Sequence, residues 1–272
     1  MGSYPSPPQP EVLPPASENV PPARRRRPLW AAAPATYLLV GINCGVFLAM
    51  VARGSSIWMP TLDQLMFWGA DRADNILIYG QWWRIVTAMF VHVGIIHLAV
   101  NMWCLWNLGL LAEPLMDSFG LFAVYILTGA AGNLLSTLYN WYKFHNVNIF
   151  PAGAGASGAV FGIAGALIVL LKSKRLPVPP RELWRLRRSV IYFAAINLII
   201  GFSINLGSGF TGVQVDNSAH IGGFLCGLLF AAPMVPRIGS PRSEFRFKLR
   251  LTVALVVLLL VLFGFYVARL AP

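Results

Sequence analysis

The run AGASGAVFGIAGALIVLL, residues 154–171, holds eighteen residues without a charge. At 1.5 Å per residue a helix of that length is about 27 Å long, close to the thickness of a bilayer's hydrocarbon core. Gly158 and Gly162 form a GxxxG step beside Ser157, a pattern that lets membrane helices touch backbone to backbone. Six more apolar runs flank this one: 35–53, 93–112, 119–139, 189–206, 218–235 and 251–268. The chain therefore reads as an all-α polytopic membrane protein with seven transmembrane helices.

Composition supports that reading. Hydrophobic residues make up 57% of the 272 and charged residues 11%, too little charge to coat a soluble surface. The net charge of +11 lies between the apolar runs instead of along one face, which argues against nucleic acid as a partner and for the lipid bilayer. Residues 1–34 form a Pro- and Arg-rich tail, with nine of the chain's 20 prolines before residue 29 and arginines at 24–27. Such a segment is expected to be disordered. It lacks the order of a secretory signal, so it is read as retained, with the first span as an anchor. Sixteen of 21 Lys plus Arg fall on the tail's side of the membrane, so the positive-inside rule makes the N-terminus cytoplasmic. A core of six helices is expected over 35–235, a basic cytoplasmic loop over 236–250, and a seventh helix over 251–272. The first outer loop, 54–92, carries Trp58, Trp68, Trp82 and Trp83 and is expected to lie at headgroup level. Cys44, Cys104 and Cys226 sit inside the runs with no metal-type spacing and read as reduced packing residues.

Polar groups inside spans are functional-site candidates by default. Four stand out: His97 and Asn101 in the second span, Ser157 in the fourth and His220 in the sixth. These spans run in the same direction, which puts the four roughly 3 to 14 Å below the outer boundary. Ala219, Gly223 and Gly227 supply small residues beside His220. A serine within reach of a histidine is a nucleophile with its base. His97 and Asn101, at i and i+4, share a helix face and can aim donors at a developing oxyanion beside the Ser157 N–H. Asp216, four residues before His220, reads as a helix cap. His92 and His145 read as structural, the first at the mouth of its span and the second in an aromatic loop.

At these residues the sequence resembles the rhomboid intramembrane serine proteases. The matches are ordered: Trp83-Arg84, then His92 and His97 with Asn101-Met102, then Gly155-Ala156-Ser157-Gly158, then Asp216-Asn217-Ser218-Ala219-His220-Ile221-Gly222-Gly223 with Gly227. The resemblance implies a rhomboid-like bundle in the six-plus-one arrangement and a serine endopeptidase that cuts transmembrane segments of other proteins. Ser157 and His220 would be catalytic, and His97 and Asn101 would bind the oxyanion. Phe161 would stack on the imidazole, where Tyr is common in the family. Gly155, Gly158 and Asn217 would support the site, and Trp83 and Arg84 would brace the outer loop. Without the resemblance, Trp83 reads equally as an interfacial anchor and Arg84 as a lipid-phosphate contact. The resemblance further implies that the fifth span and the loop after it, Leu206 to Gly212, gate lateral substrate entry, with Phe202 taken as an inward-facing residue.

Competing readings are a catalytically inactive rhomboid-like protein that binds membrane clients, a seven-span receptor or transporter, and a metalloprotease. The first would be marked by loss of the serine or histidine, the second by ionisable pairs or broken repeated helices, the third by HExxH. None of these marks is present. No metal or cofactor is expected. The expected location is a bacterial inner membrane, with the active site toward the outer face.

Overall fold

The computed structural model describes residues 33–144, 146, 150–173, 175–211, 215–237 and 240–270, with backbone alone at 204–211 and 236–237. The tail up to residue 32 and His145 lie outside the described residues. Among the described residues nine α-helices follow one another: α1 Pro34–Ala52, α2 Leu62–Trp68, α3 Ala73–Leu77, α4 Arg84–Thr87, α5 Ile95–Phe144, α6 Ser157–Leu170, α7 Pro180–Thr211, α8 Asn217–Ala231 and α9 Arg242–Ala268. Among the described residues the only β pairing is an isolated bridge between Asp71 and Gly153.

Among the described residues five helices are long and apolar enough to cross a membrane: α1, α5, α7, α8 with its 3₁₀ extension, and α9. The second and third expected spans are one helical run, α5, whose two arms meet at Asp117 (φ 61°, ψ 174°). The chain reverses there. His97, on the first arm, and Gly132, on the second, both reach the N-terminal ends of α6 and α8: His97 lies against Gly155, and Gly132 against the Ala219 carbonyl, which also faces Gly158. The fourth expected span is shorter than its apolar run. Gly155 sits at φ +134°, a conformation that cannot continue a helix, so α6 begins at Ser157 and has only 14 residues. All of them except Ser157 and Val169 are buried, making α6 the central post of the bundle.

Small residues seat that post. A Cβ at Gly223 would run into the Gly158 carbonyl, one at Gly227 into the Gly162 carbonyl, and one at Gly162 into Thr128. Backbones at van der Waals distance over two turns are what the glycine spacing calls for.

The segment between the two arms is not a solvated loop. Glu113 is 2% exposed and its carboxylate accepts from Ala35 N (2.9 Å), Thr36 N (2.8 Å), Thr36 Oγ1 (2.7 Å) and Ser118 Oγ (2.6 Å). Helix α1 has Pro34 at its start and no side-chain cap of its own. Its orphan N–H groups are therefore satisfied by an acid 77 and 78 residues away, in a favourable position at the positive end of the helix.

Two other helices outrun their apolar segments. α7 begins at Pro180 and α9 at Arg242, because arginine and lysine are good helix formers and the turns they occupy need no burial. The backbone of α7 stays helical past Leu206 to Thr211.

Candidate active site

The loop that feeds Ser157 is pinned by the segment between α1 and α5. Asp71 and Gly153 exchange both backbone hydrogen bonds at 2.8 Å, and Gly155 N–H donates to the Ala88 carbonyl at 2.9 Å. Gly155 also lies flat against His97, since a Cβ there would stand 2.5 Å from the ring's Cε1. Ser157 then opens α6, whose N-terminus has no side-chain cap, so its first N–H groups lack intrahelical partners.

His220 approaches from α8. Asp216 caps that helix, accepting from Ala219 N at 2.9 Å and Ser218 Oγ at 2.5 Å, and it also accepts from Ser136 Oγ. One turn on, His220 Nε2 lies 2.8 Å from Ser157 Oγ. His220 is 6% exposed. Its Nδ1 is buried without a hydrogen-bond partner. Phe161 stacks on the imidazole at 4.4 Å between centroids and 12° between planes.

Asn101 is buried, and one amide hydrogen goes to the His97 carbonyl at 2.9 Å. His97 Nδ1 is buried and unpartnered. His92 is fully buried, its ring 5.5 Å from that of His97, with Nδ1 at 3.3 Å from the Phe90 carbonyl and Nε2 unpartnered.

Arg84 is 6% exposed. Its Nη1 donates to the Met66 and Ala70 carbonyls, each at 2.8 Å, and its Nε to Gln81 Oε1 at 2.5 Å. The guanidinium is committed to protein carbonyls and so does not face lipid phosphate. It stacks on Trp83, 4.5 Å from the ring centroid, and Trp83 packs on Gly69, held at φ +100°. Desolvation holds the Arg84 pKa below its ordinary value. The neighbouring Asp71 is 2% exposed with Oδ2 unpartnered. Burial, reinforced by the charge of Asp216 and opposed by that of Arg84, raises its pKa well above the usual carboxylate range.

Asn217 is buried with both side-chain polar atoms unpartnered, its Oδ1 against Gly201 of α7. Phe202 is not on the inward stripe of α7. It is 51% exposed and borders a cavity of about 450 Å³ with Asn140, Gly153 and Asn217. The inward stripe is Val190, Phe193, Ala194, Asn197 and Gly201, and Phe193 meets Phe161 at 6.0 Å. Nothing in the sequence singles out Phe193, one apolar residue among many in its span.

These features define a helical membrane protein with a serine–histidine pair sunk among its helices. The sequence profile of the Rhomboid domain matches residues 79–237, more than half of the chain, and the chain belongs to the rhomboid family. It is 31% identical over 231 residues to "Rhomboid protease GluP" of Bacillus subtilis (strain 168), an alignment covering 85% of this chain and 40% of that protein. It is 30% identical over 205 residues to "Rhomboid protease AarA" of Providencia stuartii, covering 72% of this chain and 70% of that protein. A plant relative, "RHOMBOID-like protein 9, chloroplastic" of Arabidopsis thaliana, is 28% identical over 219 residues, 77% of this chain and 45% of the relative. The chain thus spans less than half the length of two of these three relatives. It is an integral membrane protein of a family with protease members.

Proposed function

We propose that this protein is an intramembrane serine endopeptidase that cleaves transmembrane segments of other membrane proteins through a Ser157–His220 dyad. The reading rests on one observation above all, the 2.8 Å approach of His220 Nε2 to Ser157 Oγ. Phe161, stacked on the imidazole, supports it.

In this mechanism Ser157 Oγ attacks the scissile carbonyl while His220 Nε2 takes its proton. The tetrahedral oxyanion is met by the Ser157 N–H at the uncapped start of α6, by the second amide hydrogen of Asn101 and by His97. The imidazolium then protonates the leaving amine, and the acyl group stays on Ser157. A water deprotonated by His220 releases it. The inactive client-binding reading is disfavoured because both the serine and histidine are present and within hydrogen-bond reach.

The site opens toward the outer face of a bacterial inner membrane, with the N-terminus cytoplasmic, on the strength of the charge asymmetry. The test is incubation of the purified protein in liposomes with a membrane-anchored reporter beside the Ser157→Ala variant. Cleavage by the first alone supports the reading. Equal cleavage by both, or by neither, contradicts it.

A further inference from the structure

His220 is oriented without an acid. The oxygens of Asp216 are taken by Ser136, Ser218 and the Ala219 N–H, and His220 Nδ1 has no partner. In a triad the third group holds the imidazole in place. Here Ser157 touches one nitrogen, so the ring's direction must come largely from its faces. Phe161 covers one of them, nearly parallel at 12°.

Phe161 is itself in contact with a second ring. Phe193, on α7, lies 6.0 Å from it at 38°, in the range where aromatic pairs attract. Phe193 stands between Val190 and Ala194, each 4% exposed, on the narrow stripe by which α7 meets the bundle. The opposite face of this helix is turned outward, with Tyr192, Ile196 and Ile199 exposed by half or more. A helix attached so narrowly moves more readily than the post beside it.

We propose that Phe193 is a positioning residue for His220, acting through Phe161. With α7 docked, Phe193 fixes the tilt of the Phe161 ring, and that ring keeps the imidazole directed at Ser157. With α7 displaced, Phe161 loses its neighbour and the imidazole its wall. The position of the lipid-side helix is in this way transmitted to the base. The inference rests on the dyad reading above, but one of its consequences is measurable without catalysis.

Two roles of Phe193 give opposite results. A residue that merely bars entry would, on truncation, leave the dyad unchanged and speed cleavage of an embedded substrate. A positioning residue gives a slower dyad, and Phe193→Ala should slow labelling of Ser157 by a small water-soluble fluorophosphonate about tenfold, the scale of one lost aromatic contact. On the reporter substrate, kcat should fall by a similar factor with KM within about twofold. Phe193→Tyr, which keeps the ring, should restore both. If the alanine variant does not fold, Phe193→Leu carries the same test, with the same slowing expected. The His220 imidazole resonances, assigned by loss in His220→Gln, should shift on Phe193→Ala or Phe193→Leu as the stacked rings reorient. Labelling at or above the wild-type rate, or an unmoved imidazole signal, would overturn the inference. If the imidazole signal shifted in the Phe193 variants but the wild type neither labelled nor cleaved, the positioning would stand and the proposed function would not.

Discussion

Asp216 and His220 are one helical turn apart, and although the His220 N–H donates to the Asp216 carbonyl at 3.2 Å, their side chains do not pair. The carboxylate turns back to cap α8, and the imidazole Nδ1 is left without a partner. Asn caps helices as well as Asp does. Asp216→Asn should therefore lower kcat by less than about tenfold, whereas replacing a true triad acid in this way costs about 10⁴-fold. Steady-state cleavage of the reporter distinguishes the two.

The dyad acts as a unit, so its losses should not add. Ser157→Ala, His220→Ala and the double variant should share the same residual rate, each near background. A double variant markedly slower than either single one would indicate independent contributions.

Asn101→Ala removes one oxyanion donor and should lower kcat by roughly 10² to 10³-fold. Its other amide hydrogen bonds the His97 carbonyl within the same helix, where the intrahelical N–H to C=O ladder already runs, so thermal stability should change little. Unchanged turnover with a large fall in melting temperature would make Asn101 a packing residue.

Much of this arrangement is visible in the amino-acid order, and the exceptions have physical reasons. Ser157, His220, His97 and Asn101 announce themselves because an apolar run makes every polar residue conspicuous. Glu113 does not, since a carboxylate between two apolar runs reads as solvated and its partners on α1 lie 77 and 78 residues away in sequence. The starts of α7 and α9 extend beyond their hydrophobic segments because hydropathy reports burial in lipid, while helix formation continues through Arg185 or Arg246. Phe193 is silent for the reverse reason: a phenylalanine in a membrane span is ordinary, and only its contact with Phe161 distinguishes it.

Asp71 makes stability depend on pH in a defined direction. Its pKa is raised in the folded protein, chiefly by burial, so the folded state holds the proton more tightly than the unfolded chain. The associated stabilisation is complete below the ordinary carboxylate pKa and is lost as pH rises through the raised one. Melting temperature should accordingly fall as pH climbs above the usual carboxylate range. Asp71→Asn, neutral at every pH, should flatten that slope. An identical pH profile in the variant would show that Asp71 titrates normally.

The central claim is that Ser157 is a nucleophile activated by His220, and mapping the adduct of a fluorophosphonate on the purified protein tests it most directly. Intact-mass and peptide analysis should find one adduct, on Ser157, abolished in His220→Ala. An adduct on another residue, or undiminished labelling of Ser157 in His220→Ala, would contradict the account.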